Sequence, residues 1–253
     1  MAKTVRLTAP PGYGKLVPLD RRQHAGMGLG ADPGYGWCRE LNAVFINAAE
    51  FFKVALDYPI AFIREPHSGE FVPMAVFGLK ARQNLYVDEA GRWRAHTYIP
   101  AYCRRYPFCI AEIPSTRGEA AQRMICVEER AMTSASPRPL FGADGAPTAA
   151  WEPILKLLEA LEGARQQTRV LTRRLEALNL LVPFDAVAMP RLGDRSRLQG
   201  LYRVDESTLA EVQPKYLKTM TAKGELRAMY AHLLSLENFG RLLDYAQPGR
   251  PAR

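Results

Sequence analysis

Residues 151–179 have the sequence WEPILKLLEALEGARQQTRVLTRRLEALN, the longest periodic pattern in the chain. Apolar side chains recur in it mostly every three or four residues, with Glu, Gln and Arg between them, which is typical of an amphipathic helix. These apolar positions are Trp151, Ile154, Leu155, Leu158, Leu161, Leu171, Leu175 and Leu178. Pro153 suits the first turn of a helix, and Pro183 lies beyond its end. The spacing predicts one long helix that must bury one face against other elements.

On both sides of that helix, short apolar runs with a period of two predict strands. Five runs precede it and two follow it: 60–63, 71–77, 84–88, 92–98, 123–128, 182–189 and 198–204. Turn residues between the early runs favour an antiparallel β-meander. Two more helices are predicted at about 207–220 and 223–240. Strands in the N-terminal half packed with a long amphipathic helix and C-terminal helices predict an α+β fold.

Glycine and proline mark two irregular stretches. Residues 1–44 are a Gly/Pro-rich N-terminal segment, in which Gly26–Gly36 is expected to be a surface loop, and residues 133–149 are expected to be a loop or linker. Between them, Asn47 followed three residues later by Glu50 predicts a capping box and a short helix that ends before Tyr58-Pro59. We therefore expect an N-terminal segment over 1–44 and a single domain over 45–253.

The composition is that of a globular protein. The chain has 253 residues, of which 47% are hydrophobic and 24% charged, so disordered, collagen-like and coiled-coil classes are disfavoured. The most apolar window, 45–63, contains three charged residues, so no membrane span is expected, and the N-terminus lacks the apolar core of an export leader. The four cysteines are scattered without a Cys-x-x-Cys pair, which favours reduced thiols. We expect a cytoplasmic protein.

The formal net charge of +8 is spread evenly, since each half of the chain contributes +4. One region is enriched: residues 165–203 contain eight arginines against three acidic residues. Arg165, Arg169 and Arg173 lie one turn apart on the predicted helix and form a row. A solvated arginine face and a surface for an anionic partner both fit this row. Because the charge is otherwise dispersed, we expect no nucleic-acid partner.

Motifs of familiar enzyme classes are missing from the sequence. The four histidines, His24, His67, His96 and His232, form no His-x-His or His-x-Asp pair for iron and no His-Glu-x-x-His for zinc. There is no Gly-x-Ser-x-Gly elbow and no Walker phosphate loop. Hydrolase, kinase and metalloenzyme classes are disfavoured, and we expect no metal and no cofactor. His24, flanked by Arg21 and Arg22, is expected to be exposed.

The run Tyr98-Ile-Pro-Ala-Tyr-Cys-Arg-Arg-Tyr-Pro-Phe108, called here the signature segment, concentrates polar chemistry in mid-chain. Pro100 and Pro107 frame two arginines and two tyrosines: Tyr102, Arg104, Arg105 and Tyr106. Guanidinium groups match carboxylate or phosphate, and phenols add a hydroxyl and a stacking face. An anion pocket is one interpretation. The other is structural: the adjacent arginines point to different sides, so that one forms a salt bridge with Asp88 or Glu89 and the other is exposed.

The signature segment resembles the central motif of the bacterial SapC family. Several other stretches are similar to the family in the same order: His24, Glu50-Phe51, Tyr58-Pro59-Ile60, 84–88, Trp93, 200–205 and 230–236. Some SapC-labelled proteins are linked to surface-layer assembly, and family members are often encoded beside TonB-dependent receptors and tryptophan-halogenase-like proteins. The resemblance implies a role in peptide or nutrient uptake or modification, or in surface layers. It implies no catalytic mechanism.

Our leading hypothesis is a soluble, non-catalytic binding or accessory protein that takes a small anionic or peptide ligand and works with a protein partner from a neighbouring uptake or modification system. The candidate ligand-binding residues are Tyr98, Tyr102, Arg104, Arg105, Tyr106, Asp88 and His232. The competing hypothesis is an enzyme acting on a peptide or amino-acid-derived substrate. It requires Tyr102 or Tyr106 to converge in one cleft with Arg104, His232 or Asp88. His232, on an amphipathic helix, also fits a hydrogen-bonded packing role.

Overall fold

A computed structural model of the chain describes residues 8–32, 34–113, 122–188 and 196–247. The strands in these ranges are β1 (Leu16–Pro18), β2 (Gly28–Leu29), β3 (Ala43–Phe45), β4 (Ile60–Arg64), β5 (Phe71–Val76), β6 (Phe108–Ile113), β7 (Gln122–Glu128), β8 (Met132–Thr133), β9 (Leu181–Ala188) and β10 (Ser196–Val204). The α-helices are α1 (Phe51–Val54), α2 (Ala101–Arg104), α3 (Glu152–Ala177), α4 (Glu206–Ala210), α5 (Pro214–Ala222), α6 (Glu225–Ser235) and α7 (Asn238–Ala246).

The strands form three antiparallel sheets. The largest has the order β3-β5-β4-β10-β9, the second has the order β1-β7-β6, and β2 pairs with β8. The predicted α+β fold is confirmed, and so is the long helix, which appears as α3. The side chains of Leu171 and Leu175 on α3 are buried in the main core, as their spacing predicted.

Two predicted strands, at 84–88 and 92–98, are wrong. This stretch consists of turns with a single bridge between Val87 and Trp93. Asn84 Oδ1 accepts from Tyr86 N at 2.9 Å, and Asp88 Oδ1 accepts from the backbone N of Ala90 and of Arg92, also at 2.9 Å. Such local side-chain acceptors compete with the hydrogen bonds of a strand ladder. The alternation of apolar residues does not reveal this competition.

The glycine-rich stretch is more ordered than the sequence predicted. Within the surface loop expected over 26–36, β2 pairs with β8, and a 3₁₀ turn follows at Gly36–Cys38. Gly28 also allows the segment after β8 to approach closely, because a Cβ there would lie 2.4 Å from the backbone O of Arg138. Further along, the predicted loop over 133–149 buries Leu140 and Phe141 in a second apolar cluster with Trp151.

The two C-terminal helices predicted from periodicity are four shorter ones. Pro214 begins α5, since proline fits a first turn but interrupts a helix interior. A short break over Leu236–Glu237 separates α6 from α7. The fold then brings α3 against the 3₁₀ turn Ala48–Glu50, where Thr168 Oγ1 accepts from Ala48 N at 2.9 Å. This contact fixes the turn that carries Glu50.

Candidate functional site

The signature segment begins at a buried carboxylate. Glu50 is 7% exposed, and its Oε1 accepts from Tyr98 Oη at 2.8 Å and from Ala101 N at 2.7 Å. Its Oε2 accepts from Asn47 N at 3.3 Å, which is the Glu half of the predicted capping box. Ala101 is the first residue of α2, so Glu50 satisfies a backbone donor that a helix start leaves free. Glu50 therefore holds both the Tyr98 side chain and the start of α2, the helix that carries Arg104.

Arg104 is exposed but held in place. Its Nε donates to Ile99 O at 3.0 Å and its Nη2 donates to Tyr98 Oη at 3.1 Å. The guanidinium also lies 5.6 Å from the centre of the Tyr98 ring, within cation–π range. Burial, and then the neighbouring Glu50 carboxylate, raise the pKa of Tyr98 to about 12. The Tyr98 hydroxyl is thus a neutral link between a carboxylate and a guanidinium.

Arg105 points into aromatic surroundings instead. It is partly buried, and its guanidinium lies 4.6 Å from the Tyr102 ring centre and 6.0 Å from that of Tyr13. Its Nε is buried and has no hydrogen-bond partner. Burial raises the pKa of both phenols above the ordinary value, while the positive charge of Arg105 opposes that rise. The hydroxyls of Tyr13 and Tyr102 donate to Phe108 O and Pro11 O, respectively.

Tyr106 packs against two other aromatic rings. Its ring stacks on Trp37 with 4.3 Å between centres and 14° between planes, and Tyr13 meets it edge-on at 5.2 Å. Burial and then the Glu128 carboxylate raise the pKa of Tyr106. Trp37 and Tyr13 belong to the N-terminal segment, and the sequence interpretation missed both. Nothing in the local pattern marked them, because more than sixty residues separate them from the signature segment.

Other polar residues hold Tyr98 through its backbone. Asp57 Oδ2 accepts from Tyr98 N at 2.8 Å, and Tyr98 O accepts from the hydroxyl of the fully buried Tyr58. Trp93 Nε1 donates to the same Tyr58 hydroxyl at 3.1 Å. Buried polar networks of this kind restrict a segment to one conformation. The backbone of the signature segment is therefore positioned before any ligand arrives.

Two of the predicted site residues are engaged elsewhere. Asp88 is exposed and pairs with Arg92 at 2.8 Å, and Glu89 lies 3.5 Å from Arg39, so neither forms the salt bridge to Arg104 or Arg105 that the structural interpretation required. His232 is 0% exposed. Among the described residues, the structure brings Tyr98 together with Arg104 and Tyr102 together with Arg105, and it does not gather Asp88 or His232 with either pair.

His232 has the packing role. Its Nε2 accepts from Val204 N at 3.0 Å, and its Nδ1 lies 2.9 Å from Ile60 O, so the ring joins α6 to two strands of the large sheet. Burial lowers its pKa to about 4, which keeps the ring neutral at physiological pH. The expectation that His24 is exposed is wrong: it is 9% exposed, because its Nδ1 turns back onto the backbone of Asp20.

The arginine row of α3 is paired with acids of the same chain, and Arg165 lies 3.9 Å from Glu162. Arg169 and Arg173 both contact Glu70, at 2.8 Å and 2.6 Å, and Arg174 contacts Glu225 at 2.5 Å. Hydrogen bonds from Arg169 and then Arg173 lower the pKa of Glu70 to about 2. Arg191 and Arg195, which belong to the same enriched stretch, lie outside the described residues.

The cysteines of the chain carry no disulfide. The four cysteines are buried and unbridged. In the described ranges, no group of three or more His, Cys, Asp or Glu side chains could hold a metal ion. Over the same ranges, no helix combines the length and the apolar character needed to cross a membrane.

The fold and the signature segment together define an α+β protein organised around an arginine and tyrosine motif. Comparison with protein-family models matches residues 19–242 to the SapC family, so the chain belongs to that family. No curated protein and no solved structure matches the chain. The resemblance first seen in the signature segment is therefore confirmed over nearly the whole chain.

Proposed function

We propose that this SapC-family chain is a non-catalytic binding protein whose recognition surface is the signature segment, and that its ligand carries a carboxylate or phosphate group. One observation carries the proposal. Among the described residues, neither Arg104 nor Arg105 has a carboxylate within salt-bridge distance, although both are held in place by rings, a hydroxyl or a carbonyl. Two positioned guanidinium groups without a carboxylate in direct contact among the described residues suit an external anion.

The electrostatics favour binding over catalysis. The pKa values of Tyr98, Tyr102 and Tyr106 are all raised, chiefly by burial. A nucleophile or a general base needs the opposite shift, or a partner base, to act near neutral pH. Neutral phenols suit hydrogen bonding and stacking with a ligand. His232, the remaining candidate base, is enclosed and has both ring nitrogens within hydrogen-bond distance of backbone atoms.

The proposal for the cellular setting is supported by the family resemblance and not by the geometry. We propose that the chain acts as an accessory protein in peptide or nutrient uptake or modification, or in a surface-layer system. A peptide with a free terminal carboxylate would meet the chemical requirement of the site. A protein partner from the same system is part of this proposal.

Isothermal titration calorimetry with inorganic phosphate, succinate and a short peptide with a free C-terminus tests the anion site. Arg104→Ala and Arg105→Ala should each weaken binding about tenfold, the usual loss for one charge-assisted contact. The matched control is Arg92→Ala, because Arg92 is an exposed arginine already paired with Asp88. An amidated peptide should bind more weakly than the free acid. No heat with any of the three ligands, or equal losses in the control, would overturn the proposal.

A further inference from the structure

Large apolar side chains are exposed on one face of the molecule, named here the α1–α6 face. Its members come from three segments: the apolar residues Phe52, Leu56, Val170, Tyr230 and Leu234, and the basic Arg227. Leu56 and Leu234 are 70% and 73% exposed, and Val170 is 50% exposed. Single exposed apolar residues are ordinary, whereas a group of them on one face marks an interaction site.

The members of this face lie on adjoining segments. The guanidinium of Arg227 stacks on the Phe52 ring at 3.7 Å, which joins α6 to α1. Further along, Asn238 Nδ2 donates to Ala55 O at 2.8 Å and Arg241 Nη1 donates to Leu56 O at 2.7 Å. The segment that begins at Phe52 therefore packs along α6 and α7. On α6, residues 227, 230 and 234 are spaced i, i+3 and i+7 and share one side of the helix.

A cleft of about 520 Å³ opens between α3, α6 and the turn before α1. Phe52 and Val170 stand among its lining residues, which also include the small side chains of Ala48, Ala49 and Ala228. Alanines leave room for an entering side chain, while the two larger residues provide apolar walls. The cleft is open to solvent, so it suits a side chain presented by another surface.

The charge around the cleft is positive. Lys223 and Arg227 line it and are exposed, and neither forms a salt bridge within the described part of the chain. Glu225 also lines the cleft, but it is 7% exposed and is paired with Arg174. A second copy joined through the same face would set like charges against each other, because a two-fold interface pairs a patch with itself. The charge therefore favours an acidic partner.

We propose that the α1–α6 face docks an acidic amphipathic helix of a partner protein. One apolar side chain of that helix inserts beside the alanines, and carboxylates on its flank pair with Lys223 and Arg227. The arrangement is the helix-in-groove mode, in which apolar anchors recur every three or four residues. This face shares no residue with the signature segment.

Fluorescence anisotropy with two labelled helical peptides tests the proposal. Both have about 14 residues, roughly four turns, with Leu at i, i+4 and i+7. One carries Glu at the remaining positions, and its twin carries Lys. The Glu peptide should bind about tenfold or more tightly than the Lys twin. Phe52→Ser, and separately Lys223→Glu with Arg227→Glu, should each weaken the Glu peptide about tenfold.

Tyr216→Ser is the matched control, because Tyr216 is 41% exposed on α5 and Phe52 is 40% exposed. It should bind like the parent chain, as should Arg104→Ala, and circular dichroism melts confirm that each variant folds. Equal binding of both peptides, no binding, or equal weakening by Tyr216→Ser would overturn the proposal. Dimerisation in light scattering that Phe52→Ser abolishes would assign the face to a second copy instead.

Discussion

Two arginine clusters in this protein differ in their partners: across the described residues, one is paired with carboxylates and the other is not. On α3, Arg169 and Arg173 share Glu70, and Arg174 is bound to the buried Glu225. In the signature segment, Arg104 and Arg105 rest on tyrosine rings, a hydroxyl and a carbonyl. The sequence around the first cluster is more basic, yet ion pairs with Glu70 and Glu225 neutralise its charge. The second cluster is smaller and keeps its charge available.

The difference shows that charge density along a chain does not measure the charge offered to a ligand. A guanidinium paired with an internal carboxylate contributes little net potential, and removing it leaves the acid unpaired. A guanidinium supported by rings and carbonyls keeps its full charge and loses mobility. Four experiments test how far this distinction holds.

The largest effect is expected from replacing each kind of arginine by an apolar residue of similar length. Arg174→Met leaves the buried Glu225 without its partner and should lower the free energy of unfolding by about 3 kcal/mol. Arg105→Met leaves no carboxylate unpaired and should cost about 1 kcal/mol or less, the usual value of a cation–π contact. Urea denaturation measures both. Similar losses in the two variants would erase the distinction.

The next effect concerns the carboxylate that orders the signature segment. Glu50→Gln replaces an acceptor of three hydrogen bonds by a neutral amide and should lower the free energy of unfolding by about 2 kcal/mol. It should also weaken anion binding, because Tyr98 and α2 lose their common support. Glu159→Gln on the exposed side of α3 serves as control. Unchanged stability in Glu50→Gln would mean that the segment is held by other contacts.

A smaller effect is expected at Glu70. Its folded-state pKa of about 2 is below the ordinary 4.5, so its contribution is present above pH 4.5 and is lost as the pH falls towards 2. Glu70→Gln should remove that part of the acid sensitivity and cost about 1 kcal/mol at pH 7, since the pair is partly solvated. It should also release Arg173 from its carboxylate partner and so raise the affinity for heparin at low salt. A variant that shows no gain in heparin affinity would contradict this account of the α3 cluster.

The smallest effect is expected from Tyr98→Phe. The ring remains beneath Arg104, but the hydroxyl that links Arg104 to Glu50 is lost. We expect a change of about 0.5 kcal/mol in the free energy of unfolding and a measurable loss of phosphate affinity by calorimetry. The companion variant Tyr230→Phe, on the exposed side of α6, should change neither quantity. Phosphate binding that survives Tyr98→Phe unchanged would show that Arg104 needs no support.

Much of the fold could be predicted because its signals are local. The period of α3, the apolar runs of β4 and β5 and the spacing of Asn47 and Glu50 each act over a few residues. The strands predicted at 84–88 and 92–98 are wrong because Asn84 and Asp88 accept backbone hydrogen bonds themselves. The candidate site was located by its proline-framed arginines, but Tyr13 and Trp37 were missed, since they reach it only through tertiary packing.

The amino-acid sequence by itself determined the α+β class, the long helix and the SapC signature, because helix period, capping and motif identity are properties of neighbouring residues. Tertiary structure alone decided which arginines are neutralised. Glu70 precedes Arg169 by 99 positions, and Glu225 follows Arg174 by 51. Coulomb energy depends on separation in space and on burial, and neither can be measured along the chain.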